Sequence, residues 1–172
     1  MKLMIVRHGD PDYEKDSLTE RGWIEAKLLA DRLSRLDVRA FYVSPRGRAQ
    51  ATAAVTLEKT GRTATTLPWL PEFNRLKIAH PDRPDHLTQS WDWMPADWTS
   101  DPRFFEPDGW LEVPVFKEAG AKAFLDEVTT GLDALLKDFG YERDGYLYRA
   151  VSPNNDTIVL FCHFGVETVM LS

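Results

Sequence analysis

Four short clusters in this 172-residue chain carry side chains of catalytic type, and each stands directly after an apolar run. They are Arg7-His8-Gly9, then Ser44-Pro45-Arg46-Gly47-Arg48, then Glu72, then His163-Phe164-Gly165. Singly they say little, since an arginine near a helix start is usually a solvated residue and a histidine after a strand is often structural. Their positions give them weight. In an open α/β sheet, ligands bind beyond the carboxyl ends of the strands, so four such segments would converge on one cleft.

Charge narrows the choice of ligand. With 21 Lys+Arg against 27 Asp+Glu, net −6, the chain lacks the basic footprint of a nucleic-acid or anionic-membrane partner. An anionic ligand has to be gathered by a local cluster of arginines. Cys162 stands alone and cannot form an intramolecular disulfide, and the four histidines, His8, His80, His86 and His163, have no metal-site spacing. The first apolar run stops at Arg7, too short for a signal-peptide core or a membrane span. A reducing cytoplasm is the simplest compartment.

The elements that must position these clusters follow from periodicity. Lys2 to Val6 reads as a short buried strand. Thr19 can cap a helix over ERGWIEAKLLADRLSRL, with Ile24, Leu28, Leu29, Leu33 and Leu36 as its apolar face. AFYVS (Ala40 to Ser44) reads as a second strand, Pro45 as the start of a helix ending near Gly61, and TATTLPWL as the source of a third strand. The strongest helical pattern is KEAGAKAFLDEVTTGLDALLKDFG, with Phe124, Val128, Leu132, Leu135, Leu136 and Phe139 on one side and Gly140 as its stop. TIVLF (Thr157 to Phe161) is a buried strand and GVETVMLS opens another helix.

Strands alternating with helices predict an α/β three-layer sandwich, with a mainly parallel central sheet and helices on both faces. Length suits a single domain, residues 1–172. The stretch at 76–116 stands apart: Trp91, Trp93, Trp98, Trp110, Phe104, Phe105 and several prolines show no long apolar period. It reads as an irregular or short-helical excursion, either a lid over the substrate or a satellite core under a long loop.

With those residues in view, the chain resembles the histidine phosphatase superfamily, in its phosphoglycerate-mutase-like branch. The matching segments are the Arg-His-Gly after the first strand, LTERG (Leu18 to Gly22), SPRGRAQATA (Ser44 to Ala53), Leu70-Pro71-Glu72, and CHFG (Cys162 to Gly165). The resemblance implies a single histidine-phosphatase-like domain in which His8 is the nucleophile and forms a phosphohistidine that water hydrolyses. It implies that Arg7, Arg48 and His163 hold the phosphate, with Gly9 letting the backbone approach it, and that Glu72 protonates the leaving oxygen. No cofactor and no metal are implied, and the partner is a small phosphorylated substrate.

General chemistry fits these assignments. An imidazole attacks only with its reacting nitrogen unprotonated, and neighbouring arginines disfavour the imidazolium. Guanidinium is planar, stays charged and can bind phosphate oxygens in bidentate fashion. His163, if protonated, would add a further donor.

Two departures qualify the resemblance. Gln50-Ala51-Thr52 stands where the family often carries Gln-Thr, which leaves Arg48 in place. Similar proteins also continue well past the His-x-Gly segment, whereas this sequence stops at Ser172, so it reads as a truncated form of a longer protein; an uncovered sheet face would otherwise favour a homodimer. The leading expectation is a metal-independent phosphomonoester hydrolase. Phosphoglycerate mutase-type phosphotransfer is the runner-up, disfavoured because DPDYEKDS and PEFNRLK stand where the mutases carry Glu-Ser-x-Trp-Asn and Glu-Arg-His-Tyr-Gly. A non-catalytic phosphate- or phosphoprotein-binding module is the third.

Overall fold

A computed structural model describes residues 1–72 and 75–171. In chain order its elements are β1 (Lys2–Arg7), β2 (Pro11–Asp12), β3 (Ser17–Leu18), α1 (Glu20–Leu33), β4 (Ala40–Val43), α2 (Gly47–Thr60) and β5 (Thr65–Thr66). Then come β6 (Ile78–His80), β7 (Arg83–Thr88), α3 (Pro95–Thr99), α4 (Pro114–Glu118), α5 (Ala121–Asp138), β8 (Tyr141–Asp144), β9 (Leu147–Ala150), β10 (Thr157–Cys162) and α6 (Phe164–Leu171). Short 3-10 turns occupy Ser90–Asp92, Pro102–Phe105 and Gly109–Glu112.

The central sheet has the order β1-β10-β4-β5, with every pairing parallel. β10 lies between β1 and β4 and is buried from Ile158 to Cys162, which is why it reads as an unbroken apolar run. Its side chains alternate between two cores. Val159 and Phe161 pack with Leu33, Val38, Phe41, Val43, Ala49 and Ala53 under α1 and α2. Ile158, Leu160 and Cys162 pack with Leu70, Val128, Leu135 and Val166 under α5 and α6. The three-layer α/β sandwich expected from the alternation is therefore present.

Local chemistry explains the element ends. Thr19 caps α1 by accepting the Gly22 N–H at 3.1 Å, as its position before the helix predicts. α2 ends at Gly61, whose φ of 64° is left-handed. The predicted face of α1 is wrong in part. Ile24 is 59% and Leu28 65% exposed, while Gly22, Ala26, Ala30 and Leu33 face inward. Small side chains let α1 approach α2 closely, and that proximity outweighs the larger apolar stripe. β1 also runs one residue further than expected, since Arg7 pairs with Cys162 in the ladder.

The excursion is more regular than its sequence suggests. β6 and β7 form an antiparallel hairpin. Beyond it, Leu76, Ile78, Val113, Phe116 and Ala121 form a buried cluster against Trp93, Trp98, Phe104 and Trp110. A satellite core is therefore present. A second hairpin, β8 with β9, was not foreseen, and Gly145 makes its turn at φ 63°. No helix among the described residues is long and apolar enough to cross a membrane.

Candidate active site

The parallel sheet delivers its clusters to one edge. β1 hands over to His8, β4 to Ser44 and β10 to His163, so the side chains that follow three adjacent strands meet at the carboxyl end. The His8 and His163 rings lie 5.1 Å apart between centroids and are tilted by 58°. One ligating atom each from His8, Glu72 and His163 falls within a span of 4.8 Å. Residues remote in sequence thus form a group of metal-binding type, which histidine spacing did not suggest.

Beside them opens a cleft of about 690 Å³ lined by Arg7, Arg46, Arg48, Asp16 and Glu72, with Tyr13, Gln89, Trp91 and Phe164 completing its walls. Three guanidinium groups against two carboxylates give this one place a cationic bias within a chain of net charge −6. Arg7 is exposed and its guanidinium lies 5.8 Å over the Phe164 ring. Arg48 is buried and sits 5.5 Å from the Tyr13 ring. Aromatic faces of this kind hold a guanidinium without neutralising it.

Each histidine is oriented by its own contact. His8 Nδ1 lies 2.8 Å from the Gly9 carbonyl, which only accepts, so Nδ1 carries the hydrogen and Nε2 the lone pair. Burial lowers the His8 pKa, and Arg48 and Arg7 add to that, outweighing the opposing Gly9 carbonyl. His163 Nε2 lies 2.8 Å from Ser44 Oγ. Ser44 Oγ also accepts the Arg46 N–H at 3.3 Å, which leaves it a hydrogen and one further lone pair with which to meet His163 Nε2 in either neutral tautomer.

Burial, then Arg48 and His8, push the His163 pKa down to about 3. At that value the unliganded ring favours its neutral form, so the condition under which His163 would add a further donor is disfavoured without a bound anion. His163 Nδ1 and Arg48 Nε are buried polar atoms without a hydrogen-bond partner among the described residues. Orphaned polar atoms of this kind cost free energy unless a ligand meets them.

Packing also requires glycine at position 9. A Cβ there would come within 2.9 Å of the Gly22 carbonyl oxygen, so glycine permits the close approach of the His8 loop to α1. Its N–H is already donated to Thr52 Oγ1 at 3.0 Å, and Thr52 in turn donates to the Arg48 carbonyl. Glu72 Oε1 accepts the Gly165 N–H at 2.7 Å, in the first turn of α6. Phe73 and Asn74 of the PEFNRLK stretch lie outside the described residues.

Sequence reasoning missed three members. Ser44 lay within a noted motif without a role, Thr52 is an ordinary helix residue, and Asp16 stands in a polar turn. Asp16 has φ 45°, and its carboxylate reaches Gly47 N at 2.8 Å and Arg48 Nη1 at 2.7 Å. Burial raises the Asp16 pKa, but the Gly47 N–H and the Arg48 guanidinium outweigh this and hold it below the usual carboxylate range.

Fold and site together define a class. A model of the histidine phosphatase superfamily (branch 1) matches residues 3–131, and the chain belongs to that superfamily. Among individual proteins it is similar to the Schizosaccharomyces pombe protein named "Probable phosphatase C1687.21", 37% identical over 67 residues, 34% of this chain and 32% of that one. The chain spans about a third of the length of this curated relative. Its fold matches the alpha-ribazole phosphatase of Shigella flexneri (TM-score 0.59, 20% identity, 99% of this chain and 78% of that one). It also matches the phosphoserine phosphatase of Entamoeba histolytica in complex with 3-phosphoglyceric acid (0.59, 15%, 98% and 77%).

Proposed function

We propose that the chain is a metal-independent, cytoplasmic phosphomonoester hydrolase acting on small phosphorylated molecules through a phosphohistidine. One observation carries this reading: His8, its Nδ1 tied to the Gly9 carbonyl at 2.8 Å, has its ring 5.1 Å from that of His163, beside a cleft lined by Arg7, Arg48 and Glu72. In the first step His8 Nε2 attacks phosphorus, the P–O bond to the leaving group breaks, and Glu72 delivers its proton to the departing oxygen. In the second step water attacks the phosphohistidine, Glu72 takes the proton, and the N–P bond breaks to release phosphate. Arg7, Arg48 and His163 stabilise the equatorial oxygens in both steps, where positioning and electrostatics dominate.

Burial, with like charge from Arg48 and Arg7, lowers the His8 pKa and so favours the unprotonated imidazole that attack needs. The same cations disfavour a divalent ion among His8, Glu72 and His163, which supports a reaction that needs none. The test is phosphate release from p-nitrophenyl phosphate and a metabolite panel, with EDTA present, for the parent and His8→Ala. Release that survives EDTA and disappears with His8 is the expected result. Loss of activity in EDTA restored by a divalent metal would overturn the metal-free route. Rapid interconversion of phosphoglycerates with little hydrolysis would make it a mutase, and phosphate binding without release would make it a binding module.

A further inference from the structure

Trp91 belongs to the walls of two cavities. One is the arginine-lined cleft; the other, of about 400 Å³, is bounded by Trp98, Phe104, Phe105, Trp110 and Leu125 and by Thr168 of α6. No charged side chain lines the second cavity among the described residues, and Thr99 and Thr168 supply its only hydroxyl groups. Its size falls within the range of small-molecule sites. Behind it the rings of Trp93, Trp98, Phe104 and Phe116 pack edge to face with centroids 5.0 to 6.2 Å apart, so the wall is a preformed aromatic layer.

The seam between the cavities is chemically specific. Phe164 of the polar cleft meets Trp91 edge-on at 6.4 Å. Gly165 lines the apolar cavity while its N–H binds Glu72 Oε1 at 2.7 Å, and Glu72 lines the polar cleft. The carboxyl group that would protonate a leaving oxygen therefore stands where the apolar cavity begins. A carboxylate or sugar placed in that cavity would lose its hydration without a partner to replace it.

We infer that the apolar cavity is the leaving-group subsite, and that the preferred substrates are phosphomonoesters of apolar alcohols or phenols. This rests on the phosphatase reading of the adjoining cleft. The phosphate sits among Arg7, Arg48 and His163, the ester oxygen faces Glu72, and the hydrocarbon part passes Trp91 into the cavity. A linear alkyl series isolates the effect, because the leaving-group acidity stays nearly constant while the buried length grows.

The experiment compares kcat/KM for propyl, butyl, hexyl and octyl phosphate below their micellar concentrations, alongside calorimetric binding of the matching non-hydrolysable phosphonates. Full burial is worth about fourfold per methylene group, and a cavity open on one side is expected to give at least about tenfold from propyl to octyl in both readouts. Thr168→Trp, a substitution at an exposed position that fills the cavity, is expected to erase the gradient. Phosphonate affinity independent of chain length overturns the subsite, whatever the turnover. A climbing phosphonate affinity without hydrolysis of any ester supports the subsite and overturns the phosphatase reading instead. A gradient that persists in Thr168→Trp places the hydrocarbon elsewhere and also overturns the inference.

Discussion

Asp16 holds Arg48 at 2.7 Å while the same carboxylate caps α2 through the Gly47 N–H at 2.8 Å. The residue before α2, Arg46, makes no side-chain cap of its own, so Asp16 supplies the cap from a distant turn. A Cβ on Gly47 would overlap the Asp16 carbonyl oxygen, which explains the glycine at the first helical position. The left-handed backbone at Asp16 costs on the order of 1 kcal/mol and persists because both side-chain bonds require it.

This pairing predicts two separable losses. Asp16→Ala removes a cap worth about 1 kcal/mol and a charge-assisted bond worth about 1.5–3 kcal/mol. It is expected to lower Tm by about 5–16 °C and kcat/KM by about tenfold, since Arg48 is no longer held for phosphate. Asp16→Asn keeps an acceptor for Gly47 and should recover the smaller, capping share of the Tm but little of the kcat/KM. Thermal melts with p-nitrophenyl phosphate kinetics check both; unchanged kinetics in a folded Asp16→Ala protein would deny Asp16 its positioning role.

Ser44 holds the His163 ring through its hydroxyl. Its removal leaves Nε2 without its partner at 2.8 Å in a buried place. Ser44→Ala is expected to lower kcat by about ten- to a hundredfold with a smaller change in KM, in keeping with a lost buried hydrogen bond of about 1–3 kcal/mol. Ser44→Thr, which keeps the hydroxyl, should restore most of it. Nitrogen chemical shifts of His163 would report the lost contact directly, and an unmoved Nε2 signal in Ser44→Ala would deny Ser44 its hold on the ring.

Glu72 is tested by the acidity of the leaving group. Glu72→Gln retains an acceptor for the Gly165 N–H, so α6 stays capped while the proton donor is lost. Propyl phosphate, whose alkoxide leaves poorly, is expected to lose about 10²–10⁴ in kcat. The release step for p-nitrophenyl phosphate should change little, measured as the p-nitrophenol burst. Equal losses for both esters would take the general-acid role away from Glu72.

The buried histidines make stability depend on pH in a stated direction. Folded His163 stays neutral down to about 3, whereas an unfolded imidazole takes a proton near 6.5. Below about 6.5 the unfolded chain binds more protons, so stability falls as pH falls through that window, and the loss is complete below about 3. At about 1.4 kcal/mol per pH unit, the whole effect is roughly 3–5 kcal/mol. His8, also lowered by burial, acts in the same direction. Between pH 6.5 and 5, where most carboxylates remain ionised, His163→Asn is expected to show a shallower slope of unfolding free energy than the parent in urea titrations. Identical slopes would refute it.

The legible part of the molecule was the part written in short-range signals. β10 announced itself as an unbroken apolar run, α5 as a 3.6-residue stripe, and the motif clusters as polar residues at strand ends. The α1 face misled because Ala26 and Ala30 carry a helix contact through closeness rather than bulk. The β6–β7 and β8–β9 hairpins escaped because their strands are short and largely polar, so alternation is weak. Within the site, His8, Arg7, Arg48, Glu72 and His163 were readable from type and order. Asp16, Ser44 and Thr52 act through other residues, and no spacing rule links a turn carboxylate to an arginine 32 residues on.

The strand order β1-β10-β4 has a bearing on how the protein is made. β1 and β4 are not neighbours, and the strand that fills the gap between them is translated only after everything from α2 to β9. Pairing across so long a stretch of chain is slow to close. Until β10 inserts, His8 has no His163 beside it and Ser44 has no ring to orient. On the proposed mechanism, a chain whose β10 has not yet inserted lacks the paired histidines, and the site is completed only when the sheet closes.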